Sequence, residues 1–185
     1  ATELGKQPAE TTVRRGDVIF HDATFAFQHW LGCATCHPDG ARVDGLNWDL
    51  LNDGIGNPKN TRSLVWSPRT PPMMSLGVRA NFEVASAAGF RFILFREPEA
   101  AELTAVKDYI TSLDPEPSPF LMPDGKLSAK AQQGKALFED NKTGCQGCHP
   151  APLYTDLKKY DVGSKGELDR NDAVFYTPKL IELWR

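Results

Sequence analysis

The chain has 185 residues, of which 41% are hydrophobic, and 21 basic against 24 acidic side chains leave a net charge of −3, the composition of an ordinary globular protein of one or two domains. The charges are mixed, with no basic stripe and no run of one sign, which excludes nucleic acid and an anionic membrane surface as partners. The longest apolar stretches, such as FRFILF at 90–95, fall far short of the ~20 residues that cross a bilayer, so no membrane span is expected. The opening ATELGKQPAE has neither a charged start nor an apolar core; any export signal is expected to have been removed or to lie outside this chain.

In chain order, the first predicted element is a short helix over RRGDVIFHD, residues 14–22, and the same pattern returns as QQGKALFED at 132–140. Gly16 pairs with Gly134, Ile19 with Leu137, Phe20 with Phe138 and Asp22 with Asp140. The chain therefore contains an internal repeat, with Ser128 as N-cap of the second copy. A glycine inside a helix costs about 1 kcal/mol relative to alanine, so two at matching positions predict that another helix approaches closely there. That helix is read in AELTAVKDYITSLDP, residues 101–115, where Leu103, Val106, Ile110 and Leu113 share one face, Tyr109 flanks it and Asp114-Pro115 ends it. The stretch DPEPSPFLMPDGK at 114–126, with four prolines, separates the copies. The expected division is a first domain at 10–114, a proline-rich linker at 115–127 and a second domain at 128–185. The second copy ends without a counterpart of the Tyr109 helix, so either a missing C-terminal segment or another chain is expected to complete it.

All four cysteines and two of the four histidines fall in one pattern written twice, CATCH at 33–37 and CQGCH at 145–149. CxxCH is the attachment pattern for c-type haem: one helical turn brings both thiols to the porphyrin edge, and the next residue directs its imidazole to iron. Cys33, Cys36 and His37 are expected to hold one haem, and Cys145, Cys148 and His149 another. A single zinc held by the four cysteines would need neither histidine nor repeat. A thioredoxin-like site would need a βαβ setting that the layout does not supply. The fold class expected is all-α, two cytochrome c-like haem domains in tandem with little or no β, the second one truncated. Covalent haem also predicts an exported, periplasmic location, since attachment takes place outside the cytoplasm.

Beyond the motifs, CATCHPDGARVDGLNWDLLNDGIGNPKNTRSLVW, with its Asn60–Leu64 segment, and CQGCHPAP followed by VGSKGELDRNDAVFYTPKLIELW, with Thr177–Leu180, resemble the bacterial dihaem cytochrome c peroxidase and MauG-like superfamily. The resemblance implies two covalently bound haem c groups, electron transfer with a small redox protein as donor or acceptor, and reduction of hydrogen peroxide at the first haem. It also implies a calcium ion between the domains, to which Asn60 could give an oxygen. The alternative is a non-enzymatic electron carrier or redox-sensing domain of a larger protein. Three departures set this chain apart from its peroxide-reducing relatives: no histidine lies between His37 and His149, Ser75 in MMSLGVRA stands near the place of a bridging tryptophan, and only Glu97 and Glu99 are available near the place of the catalytic acid. No catalytic residue is assigned.

A haem held by one histidine needs its far side assigned, because a filled site transfers electrons and an open one binds peroxide. Met74, with Met73 as the alternative, is the candidate for the first iron, presented by the proline-led loop RTPPMMSLG. Met122, His29 and His21 are weaker candidates, and Arg62 and Arg79 are candidates for pairing with haem carboxylates. Trp30, Trp48, Trp66 and Trp184 are read first as packing residues.

Overall fold

The computed structural model describes Gly5 and residues 9–49 and 56–185, so the LLNDGI part of the family-like first segment lies outside the described residues. The regular elements in order are α1 (Thr12–His21), α2 (Cys33–Cys36), α3 (Pro38–Ala41), β1 (Asn47–Trp48), β2 (Lys59–Asn60), α4 (Phe82–Phe92), α5 (Ala100–Thr111), α6 (Ala129–Glu139), α7 (Cys145–Cys148), β3 (Lys159–Tyr160) and β4 (Phe175–Tyr176). The protein is mostly helical with little β. Among the described residues the β structure consists of two antiparallel ladders, in which Asn47 faces Asn60 and Lys159 faces Tyr176, and one isolated bridge between Met73 and Arg79. No helix among these residues is long and apolar enough to cross a membrane.

The core forms where α1 crosses α5. Thr11 caps α1 by accepting the Arg14 amide at 3.1 Å, and the helix buries Gly16, Ile19 and Phe20. Against them α5 buries Ala105, Val106, Tyr109 and Ile110. The glycine is there for the reason the repeat suggested: a Cβ at Gly16 would lie 1.9 Å from the Ala105 carbonyl oxygen and 2.8 Å from the Tyr109 Cβ. This close crossing moves the buried centre of α5 toward Ala105 and Tyr109, and leaves Leu103 and Leu113 only partly buried at its edge. Phe20 packs on Tyr109 with ring centroids 5.3 Å apart.

Helix α4, which the sequence reading did not identify, supplies Phe82, Ala88 and Phe90 to the same core. The Asn81 side chain caps it, accepting the Val84 amide at 2.9 Å. Because this bond satisfies one of the unpaired donors of the first turn, Asn81→Ala is expected to destabilise the fold by about 1 kcal/mol. The measurement is urea unfolding, where the midpoint should fall with the slope unchanged.

The second copy of the repeat differs in its surroundings. Ser128 caps α6 as expected, accepting the Ala131 amide at 3.2 Å. No residue of α6 is buried, however. Leu137 is 61% exposed, and a Cβ at Gly134 would meet nothing within 4 Å. The stretch that follows β3 folds back on the first half of the chain instead. Tyr176 donates its hydroxyl to the Thr70 carbonyl at 2.9 Å and its amide to the Ser75 carbonyl at 2.9 Å. Asp169 accepts from Asn57 at 2.7 Å and Lys59 at 3.0 Å. Glu182 meets Arg42 through two bonds of 2.8 Å.

Candidate functional site

The two CxxCH motifs adopt one local structure. In each, the cysteines bracket a single helical turn and the histidine amide closes it onto the first cysteine's carbonyl at 3.0 Å. Both histidines then leave the helix with nearly the same backbone, φ −120° and ψ 65° at His37, φ −117° and ψ 58° at His149. Each ring turns its Nδ1 to the carbonyl five residues on, His37 to Arg42 at 3.3 Å and His149 to Tyr154 at 2.8 Å. A carbonyl can only accept, so Nδ1 carries the proton in each bond, and in a neutral ring the Nε2 keeps a lone pair. Burial holds His37 below the ordinary histidine value, outweighing the Arg42 carbonyl and Asp44 that act the other way. This repeated polar contact has no sequence signal, since its acceptor is a backbone atom.

At the first motif, Cys33, Cys36 and His37 line a cavity of about 510 Å³, inside the ~300–1,000 Å³ range of small-molecule and cofactor sites. Phe20, Leu31, Phe82, Phe90 and Val106 make its walls apolar, and Met73 and Met74 border it. The methionine loop is tight: Met73 donates to and accepts from Arg79, and Met74 sits at φ 74°, in the left-handed region. Tyr176, Pro178 and Lys179, from the C-terminal part of the chain, also line the cavity, a contribution with no signal in the sequence. Burial pushes the Cys33 thiol up to about 12, and burial together with Asp44 raises Cys36. Among the described residues no group of three or more His, Cys, Asp or Glu is placed to hold a metal ion, so the four cysteines are not brought together.

The remaining candidates separate clearly. Arg62 lines the cavity and Arg79 does not. His21 is engaged with Asp17, His29 is an exposed residue at φ 56° and Met122 is 48% exposed in the linker; none of the three borders the cavity. Glu97 pairs with Arg91 at the surface, while Glu99 starts α5, so neither acid faces the cavity. The calcium expectation also finds no ligand set among the described residues: the Asn60 amide donates to the Leu46 carbonyl at 3.5 Å, and the neighbouring Asp169 is already bonded to the Lys59 ammonium. Trp48 lines the cavity, with its indole on Asp44 at 2.7 Å; Trp30 stacks on Phe95 at the surface. The second motif is more open, with Cys145 exposed and Cys148 and His149 half-buried.

No protein-family model matches the chain. Its sequence is similar to hydrazine synthase subunit gamma of Kuenenia stuttgartiensis, 31% identical over 169 residues, which are 82% of this chain and 48% of that protein. A structure of K. stuttgartiensis hydrazine synthase pressurised with xenon superposes with a TM-score of 0.75 at 30% identity, covering 87% of this chain and 57% of the other. A MauG-like protein associated with microbial copper homeostasis superposes with a TM-score of 0.65 at 16% identity, covering 96% of this chain and 68% of the other. The fold is that of the cytochrome c peroxidase and MauG-like superfamily. The chain spans about half the length of the curated relative it matches.

These similarities correct the functional expectation. A self-standing dihaem cytochrome that transfers electrons and reduces hydrogen peroxide is not supported by a sequence relative that is named as one subunit of a synthase.

Proposed function

We propose that this chain is a non-enzymatic, haem-bearing electron-carrier domain of a larger protein assembly. The observation that carries the reading is the apolar cavity of about 510 Å³ with Cys33, Cys36 and His37 in its wall. These residues suit a covalently attached haem c, with the two thiols at its edge and the His37 Nε2 for its iron; Cys145, Cys148 and His149 are proposed to hold a second. The bound group supplies a one-electron couple. The chain's own residues set its surroundings. The Arg42 carbonyl fixes the His37 tautomer and ring orientation, the aromatic and aliphatic walls exclude water, and Met74, or Met73 in its place, is proposed as the sixth ligand of a closed site. A filled coordination sphere favours electron transfer over ligand binding. Exposure of Cys145 at the second motif suits exchange of electrons with a protein partner, either a small redox protein or a neighbouring subunit. A relative named as a subunit supports the place in an assembly. Covalent attachment makes the proposed location exported, typically periplasmic.

The test is production of the chain in an exporting host with c-type haem maturation, followed by pyridine haemochrome and mass analysis. Two haems per chain are expected, falling to one in the Cys33→Ala/Cys36→Ala double variant, with a low-spin six-coordinate spectrum. Turnover of hydrogen peroxide with a reduced donor should not exceed that of free haem. A haem-free product, or peroxide turnover well above free haem, would overturn the proposal.

A further inference from the structure

Several charged side chains line the cavity, and most are matched by an opposite charge. Arg42 pairs with Glu182, Lys59 with Asp169 and Arg185 with Glu116. Arg62 and Lys179 are different. Both line the cavity, and among the described residues neither has a carboxylate within salt-bridge distance. The Lys179 ammonium donates to the Ser63 carbonyl at 2.8 Å, which anchors it beside Arg62 without neutralising it. Desolvation lowers both groups, and Arg62 lowers Lys179 further, to about 8. Two like charges held together against an apolar wall are destabilising unless an anion joins them.

The placement follows from the chain. Thr61-Arg62-Ser63-Leu64 and Thr177-Pro178-Lys179-Leu180 are corresponding segments of the two halves, each with a buried threonine. The contact between Lys179 and Ser63 joins them where they meet at the cavity. A guanidinium fork beside an anchored ammonium suits a planar carboxylate, which the fork can bind through two parallel bonds.

We propose that Arg62 and Lys179 form a carboxylate-binding clamp at the cavity, made jointly by the two halves of the chain. The carboxylates are either those on the macrocycle of the proposed haem or those of a small free anion entering the cavity. The clamp rests on the haem reading only for the first of these sources.

The test uses the haem-loaded chain, its Arg62→Gln and Lys179→Gln variants and the double variant, with Lys179→Arg as the charge-conserving control. The readouts are the midpoint potential and the Soret position of the first haem, with and without sodium acetate or inorganic phosphate at matched ionic strength. If the macrocycle's carboxylates fill the clamp, loss of each cation lowers the midpoint potential, the double variant lowers it further, Lys179→Arg restores it, and neither anion changes the wild type. If a free anion fills it, acetate or phosphate gives a saturable spectral or potential shift in the wild type that the double variant loses. Equal potentials in wild type and double variant, with no anion response, would overturn the clamp. Absence of covalent haem is read separately by pyridine haemochrome, and it defeats the haem reading alone. On such a chain the same anions are followed by melting temperature: a rise in the wild type that is lost in Arg62→Gln supports the clamp, and no rise overturns it.

Discussion

Replacing Gly16 by alanine is expected to destabilise the fold by about 3 kcal/mol, the upper part of the range for overpacking. The added Cβ would lie 1.9 Å from the backbone oxygen of Ala105, and a backbone atom in the middle of a packed helix has no rotamer to change. The two helices must separate, loosening Ile19, Phe20, Val106 and Ile110 together. Gly134→Ala, the same change at the matching position of the repeat, should do the reverse. Its Cβ meets open space, so the helix gains about 1 kcal/mol of propensity. Urea unfolding of both variants checks the pair, and equal effects would refute the close-approach explanation of Gly16.

Removing the Glu182 carboxylate is expected to be as costly. Arg42 and Glu182 have side chains only 6% and 3% exposed, joined by two parallel bonds of 2.8 Å. Taking away one partner of a buried pair costs about 3–5 kcal/mol, because the other charge is left uncompensated. The lower end, about 3 kcal/mol, applies to Glu182→Ala, since the Glu116 carboxylate 3.5 Å from the Arg42 guanidinium can take part of the load. The pH dependence has a definite direction. Burial raises the Glu182 carboxyl, but the Arg42 fork and the Glu116 amide outweigh it and leave the value lowered. A lowered folded-state value means that the contribution is whole above the unfolded-state pKa and is lost as pH falls through the folded one. Thermal unfolding of wild type and Glu182→Ala should therefore differ most near neutrality and converge in acid; a gap that widens in acid would contradict the assignment.

The contrast between these two sites shows what the sequence makes legible. Gly16 could be read because helix periodicity and a repeat are local patterns, and the same patterns located α1, α5, the Ser128 cap and both CxxCH turns. Helix α4 escaped because FEVASAAGFRF is apolar on more than one face, with Phe90 buried and Phe92 half exposed, so no single stripe marks it. The Arg42–Glu182 pair and the Lys179 contact join residues more than a hundred positions apart, and ion pairing leaves no local trace. Within the candidate site, the thiols and His37 were legible from spacing, and Met73 and Met74 from their loop. Arg79 was misplaced because a short strand-like bridge to Met73 engages its backbone while its side chain stays outside the cavity lining. Function was the least legible level, because a shared fold accommodates different chemistries.

The wall formed by Tyr176, Pro178 and Lys179 also makes the cavity a joint product of segments far apart in the chain. Those residues lie more than a hundred positions from Cys33 and Cys36, and the tail is held in place by bonds to Thr70, Ser75 and Ser63. The pocket is therefore complete only when both segments have folded together, and a change that loosens the tail reaches the first motif without touching any residue of it.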